Sequence, residues 1–274
     1  MTDRLSSLIR AVEDADSSSR LLIAVKNLAS SCHPEAVPTL IAALSYNNPG
    51  AAVAAVDGLI QIGEPAVPAL LELLDLHNYT ARAWAIRALA GIGDPRGLAT
   101  LLGAATADFA LSVRRAAARG LGTMKWHWFP SDLLEIAQEE ALEALTFVAC
   151  NDEEWVVRYS ALVGLQSLAT TFSAHQHEWR SQITALLEHI ANQDESLAIR
   201  ARACLAQQML HTEPTEPTEA IANHPSPLSE TDWQLIVTKL YERKQQERGT
   251  SLAEGDPRRY KDLAVAVSQR SEPS

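Results

Sequence analysis

One phrase is written into this chain several times, and it leaves few folds open. A small or β-branched residue is followed by Arg, then by Ala, and the phrase closes on an apolar pair. It stands as Ala81-Arg82-Ala83-Trp84-Ala85-Ile86-Arg87-Ala88-Leu89 and as Val113-Arg114-Arg115-Ala116-Ala117-Ala118-Arg119-Gly120-Leu121. It returns as Val157-Arg158-Tyr159-Ser160-Ala161-Leu162 and as Ile199-Arg200-Ala201-Arg202-Ala203-Cys204-Leu205. The anchor residues Arg82, Arg114, Arg158 and Arg200 lie 32, 44 and 42 residues apart. A helical unit repeating at that interval cannot bury its apolar face alone and must stack on its neighbours. The expectation is an all-α solenoid of helix pairs.

The turns repeat as well. Leu59, Ile62, Gly63 and Pro65 each find the same residue 30 positions on, at Leu89, Ile92, Gly93 and Pro95. Gly, an acid and Pro in succession stop one helix and start the next. His33-Pro34-Glu35 fills the same slot one unit earlier, with Cys32 where Gly stands later. Second helices are therefore expected at about 18–31, 50–62, 79–92, 111–123, 154–169 and 196–210. First helices are expected at about 35–45, 66–76, 96–106, 130–149 and 176–192, after an apolar stripe in residues 1–15. Asp108, Asp152 and Asp194 each precede an anchor arginine by six, and each is expected to cap the helix that follows.

This pattern resembles HEAT-like and armadillo-like repeats, which implies a right-handed superhelix over residues 1–210. Residues 211–229, with regular prolines and acids, read as an extended linker. Residues 230–274 read as one more helix, using Trp233, Ile236, Val237, Leu240 and Tyr241, with a tail from Gly249 whose Tyr260, Leu263, Val265 and Val267 need a surface.

Composition narrows the function classes. A net charge of −11 and a pI near 5.2 argue against nucleic acid as the main partner. No run of residues approaches a membrane span, so no membrane insertion is expected. Cys32, Cys150 and Cys204 have neither metal-ligand spacing nor the even count of a disulfide framework, which suits a reducing compartment. Cys150 and Cys204 read as buried packing thiols. His175 and His177 are too weak a pair for a metal site, and no cofactor-binding motif is present.

The concentration of unusual residues lies between 46 and 128. It holds the Tyr46-Asn47-Asn48-Pro49-Gly50 phrase, Asp57, Tyr79, Trp84, Arg87, Arg115, Arg119 and Trp126-His127-Trp128. The anchor arginines are read as rungs of a structural ladder, paired with acids of adjacent units. Arg87, Arg115 and Arg119 either join that ladder or act as receptors on a concave surface, where Arg115 and Arg119 share a helix face. Trp84 sits at a core-like phase, so packing competes with ligand contact. Arginines beside aromatic rings suit a flat conjugated anion. The Trp126-His127-Trp128 stretch falls where the repeat lengthens, and inserted aromatic loops on solenoids are binding elements.

The phrases Tyr46 to Leu59, Tyr79 to Leu89 and Asp108 to Arg115 together resemble the bilin lyases of cyanobacteria, over most of residues 1–200. The resemblance implies a heterodimer with a homologous HEAT-like alpha subunit, and phycocyanobilin as substrate. That pigment would be joined through a thioether to a cysteine of the phycocyanin alpha chain, in the cyanobacterial cytosol. It implies that Arg87, Arg115 and Arg119 with Tyr79, Trp84, Trp126 and Trp128 hold the bilin propionates and rings. Thioether formation needs a proton delivered to the pigment while thiolate attacks, for which Asp57 and His127 are the candidates. Relatives that also isomerise the pigment carry an adjacent His-Cys pair in the enlarged loop. Lys125-Trp126-His127-Trp128-Phe129 has no cysteine, so plain attachment is expected. A scaffold without pigment chemistry and a phycobilisome-turnover factor are the competing readings.

Overall fold

Gly63 and Gly93 end the second helices of successive repeats at φ 78° and 67°, a backbone region that a Cβ disfavours. Each turns its N–H back onto the helix, to Leu59 O and Leu89 O at 3.0 Å. A 3-10 turn with Pro at its first or second position follows, and the chain enters the next helix. Cys32 occupies the same slot and adopts φ 49° despite its Cβ. The repeat thus imposes its turn geometry even where glycine is missing.

The computed structural model describes residues 2–74, 79–212 and 226–249. Along it run α1 (Thr2–Glu13), α2 (Ser18–Ala29), α3 (Val37–Ala43), α4 (Pro49–Ile62), α5 (Val67–Leu74) and α6 (Tyr79–Ile92). Then come α7 (Leu98–Ala107), α8 (Leu111–Gly122), α9 (Ser131–Asn151), α10 (Trp155–Ala169), α11 (His177–Gln193), α12 (Leu197–Thr212) and α13 (Glu230–Gly249). The second helices α2, α4, α6, α8, α10 and α12 pack each on the next, and a continuous core of Leu, Ile, Val and Ala runs beneath them. No strand occurs among the described residues.

Small residues let these layers approach closely. A Cβ on Gly122 would come within 2.4 Å of the Gly164 backbone, so α8 and α10 touch main chain to main chain. The longer repeat has a simple cause. Most of the extra length enters α9, 21 residues against 10 in α7, and the turn before it, with its 3-10 segment at Trp126–Trp128, is only slightly longer than the turn before α7.

The arginine ladder is present. Arg82 pairs with Asp108, Arg114 with Asp152, and Arg158 with Asp194, each across to the following repeat. Arg114 and Arg158 also donate backward to the carbonyls of Asp108 and Asp152, both at 2.9 Å. One guanidinium thereby bolts its own turn to the next. Arg200, on the last helix of the stack, donates instead to Ala191 O at 3.0 Å. The acids do not cap their helices as expected. Each carboxylate accepts from the N–H two residues on, Ala110, Glu154 or Ser196, and folds the approach to the helix as an Asx turn.

Two further expectations need correction. Cys150 and Cys204 are exposed, because they fall on outward phases of α9 and α12. Tyr241 is 65% exposed on α13, whereas Trp233 and Ile236 are buried. That helix lies against α7 and the Pro95–Gly97 turn. Its Trp233 ring packs 5.3 Å from Phe129, and Arg243 and Lys244 both reach the buried Glu140 of α9. Most of the expected linker and the tail beyond Gly249, with Tyr260, Leu263, Val265 and Val267, lie outside the described residues.

Candidate functional site

One face of each of three second helices, with part of α4, encloses a groove of about 970 Å³. Its lining on α6 is Thr80, Ala83, Trp84, Arg87, Ala90 and Gly91, a 3-4-3 spacing that marks a single helical face. On α8 the same face presents Ser112, Arg115, Ala116, Arg119 and Gly120, with Thr123 just past the helix end. Asp57 and Ile60 contribute from α4, and Trp155, Val156, Tyr159 and Ser160 from α10. Alanine and glycine keep the floor low while long side chains stand at the sides.

The repeat orders these side chains. Asp57, Arg87 and Arg119 follow one another at intervals of 30 and 32 residues and occupy one phase of α4, α6 and α8. Arg115 and Tyr159 directly follow the anchors Arg114 and Arg158 and occupy another. Arg87, Arg115 and Arg119 are exposed, and no salt bridge joins them to an acid among the described residues. They do not belong to the ladder. The groove therefore sets three guanidinium groups against a single carboxylate, Asp57, within an acidic protein. Closely grouped like charges with little compensation attract anions.

Aromatic surface accompanies the charge. Trp84 is half-buried, packs against the core and lines the groove, and the Arg87 guanidinium lies 5.6 Å from its ring centre. Trp84 thus packs on the core and also faces the groove. Trp155 and Tyr159 form the α10 end of the groove, and neither stands out in the sequence as a site residue. Only the phase could have found them: Trp155 opens α10, and Tyr159 stands where Arg115 stands one repeat earlier.

Not every expected residue gathers here. Trp126, His127 and Trp128 occupy the 3-10 turn and are absent from the groove lining. Trp126 is buried and stacked on Phe129 at 5.3 Å, within the aromatic cluster that receives Trp233. Trp128 lies under the Lys125 ammonium at 4.1 Å, with exposed His127 beside it at 6.1 Å. The physical reason is placement: the turn joins α8 to α9 and packs toward α13, whereas the groove is made by inner helical faces. The Tyr79 side chain lies outside the described residues. Asn48 is structural, since its carbonyl caps α4 at Ala51 N (3.1 Å) and its amide donates to Ser18 O at 2.9 Å.

Charge states in the framework follow their contacts. The hydrogen-bonded Asp152 carboxylate holds the Arg114 guanidinium proton more tightly than usual, as Asp94 does for Arg96. Although Cys150 is exposed, partial desolvation by the surrounding protein raises its thiol above the ordinary value. Among the described residues no group of three or more His, Cys, Asp or Glu is placed to hold a metal ion. No single described helix is long and apolar enough to cross a membrane.

A family model of HEAT repeats matches residues 5–79 and 67–166. The chain is 61% identical to the phycocyanobilin lyase subunit beta of Pseudanabaena tenuis, covering 98% of this chain and 99% of that protein. It is 50% identical to the phycocyanin alpha phycocyanobilin lyase CpcF of Synechocystis, over 74% of this chain and 92% of that one. Among solved structures, a chain in the complex of CpcE and CpcF of phycocyanin lyase from Nostoc matches with a TM-score of 0.58 at 47% identity. That match covers 64% of this chain and 99% of the other. The described groove thus sits in a chain that belongs to the HEAT-repeat phycocyanobilin lyase beta-subunit family.

Proposed function

We propose that this chain is one subunit of a heterodimeric bilin lyase that attaches phycocyanobilin to the phycocyanin alpha chain. Its partner is the homologous HEAT-like alpha subunit, and the reaction takes place in the cyanobacterial cytosol. Family membership supports the activity, and one observation supports its place. Arg87, Arg115 and Arg119 converge on a groove walled by Trp84, Trp155 and Tyr159, the complement of a conjugated pigment with two propionates. The guanidinium groups take the carboxylates, and the rings take the π-face.

Attachment adds a thiol across the ethylidene double bond. The acceptor's S–H bond breaks, a C–S bond forms, and a proton ends on the conjugated system. The groove lining holds no cysteine, and the family reading takes the thiol from the acceptor protein. Asp57 is the carboxylate within the groove and is the proton donor or relay of this reading. His127 is separated from it by its position in the α8–α9 turn. The turn lacks the His-Cys pair of isomerising relatives, so the pigment is attached without a double-bond shift.

The test is co-expression with the alpha subunit, a phycocyanobilin supply and the phycocyanin alpha chain. A covalent, fluorescent adduct with the spectrum of unrearranged phycocyanobilin is expected. If a verified heterodimer yields no adduct, the lyase reading fails. If titrated phycocyanobilin leaves its absorbance unchanged, the chain is a scaffold.

A further inference from the structure

Arg202 of α12 is a guanidinium buried to 7% exposure, and no carboxylate pairs with it among the described residues. Its Nη2 donates to the Gln166 side-chain oxygen at 2.7 Å, while its Nη1 is buried with no hydrogen-bond partner among the described residues. Its guanidinium carbon also lies 5.8 Å from the centre of the Tyr159 ring. The contrast with the ladder is informative, since Arg158 on the neighbouring helix reaches two acids. A buried cation without a counter-charge is costly, and burial accordingly makes the Arg202 proton easier to lose than usual. Such a group calls for a reason beyond folding.

Tyr159 supplies the connection, because it lines the pigment groove and also meets Arg202. We infer that Arg202 is a positioning residue for the groove: it fixes Tyr159 as the wall of the α10 end and sets a fourth positive charge behind that wall for a dianionic, conjugated ligand. The inference rests on the groove being the pigment site. A charge buried in this way is weakly screened by salt, unlike the exposed Arg115 and Arg119, so its pull on the ligand persists at high ionic strength.

The test is absorbance titration of phycocyanobilin into the heterodimer carrying Arg202→Met, Tyr159→Leu, both together, or Arg119→Ala as a control. Arg202→Met is expected to weaken binding about three- to tenfold, the range of a buried cation–π contact. Its thermal stability is expected to stay level or rise, because an apolar side chain replaces an unpaired buried charge. The double variant is expected to lose less than the two single losses combined, since part of the Arg202 effect passes through that ring. Wild-type affinity in Arg202→Met alongside weakened binding in Arg119→Ala overturns the inference and leaves the groove reading intact. Equal losses from Arg202→Met with and without Tyr159 overturn the positioning role. Wild-type affinity in both Arg119→Ala and Arg202→Met brings down the groove reading and the inference with it. Should Arg202→Met fail to fold, Arg202→Lys decides: affinity within about twofold of wild type supports the role of the charge, and a full loss overturns it.

Discussion

Arg114 and Asp152 meet across two repeats in a two-pronged pair, with Nε at 2.7 Å and Nη2 at 3.1 Å from the carboxylate oxygens. The same guanidinium holds the Asp108 carbonyl of its own turn, so each rung fixes the rotation between neighbouring repeats. Asp152→Ala would strand a largely buried cation and is expected to cost about 3 kcal/mol in urea unfolding. Replacing both partners, Arg114→Met with Asp152→Leu, is expected to recover much of that loss. A double variant no more stable than Asp152→Ala would mean that the rung contributes more than charge compensation.

Cys32 holds a left-handed backbone where the two later turns use glycine. Cys32→Gly is expected to stabilise the fold by about 0.5–1 kcal/mol, the relief of left-handed strain less the entropy of the unfolded glycine. Gly93→Ala should act in the opposite direction, because a Cβ there would meet Thr123 O at 2.8 Å on a φ of 67°. Thermal denaturation of the two variants checks both signs.

Arg115→Ala and Arg119→Ala change exposed side chains outside the ladder, so each is expected to alter stability by less than about 0.5 kcal/mol. Each is expected to weaken phycocyanobilin binding about tenfold, as the loss of a charge-assisted contact would. Titration and melting on the same samples separate the two effects. A collapse in melting temperature would return these arginines to a structural role.

Asp57→Asn and His127→Gln distinguish the two proton-donor candidates. Asp57→Asn is expected to keep pigment binding and slow adduct formation about a hundredfold. His127→Gln is expected to stay within about twofold of wild type, since the turn that carries it is not part of the groove. Single-turnover fluorescence of adduct formation reads both.

Helix α13 is opened by Ser229, whose hydroxyl and N–H both donate to the Asp232 carboxylate, at 2.6 and 2.9 Å. These bonds hold Asp232 below the ordinary carboxylate range. A carboxylate lowered in the folded state adds stability above its unfolded value, and that share is lost as pH falls through the folded one. The Trp233 contact with Phe129 is therefore expected to loosen on acidification below about pH 4, seen as the fluorescence difference between wild type and Trp233→Phe. Asp232→Asn should flatten that part of the pH profile.

The repeat determined the fold because it is local information. Helix bounds such as 79–92, the Gly63 and Gly93 stops and the ladder of Arg82, Arg114 and Arg158 follow from spacing that any stacked helix pair must obey. The sequence also held the charge of the groove, since Asp57, Arg87 and Arg119 recur at one phase. What it could not decide was which irregularities share a surface. Trp126, His127 and Trp128 look as distinctive as the arginines, yet a turn and a helix face point to different sides of a solenoid. Trp155 and Tyr159 look like ordinary repeat residues, yet stacking brings them to the groove's end. Arg202 differs least from its neighbours in sequence, and only burial against Tyr159, with no acid paired to it among the described residues, sets it apart. Periodicity along a chain sets the angle of each side chain on its own helix. Proximity between helices forty residues apart is settled by packing.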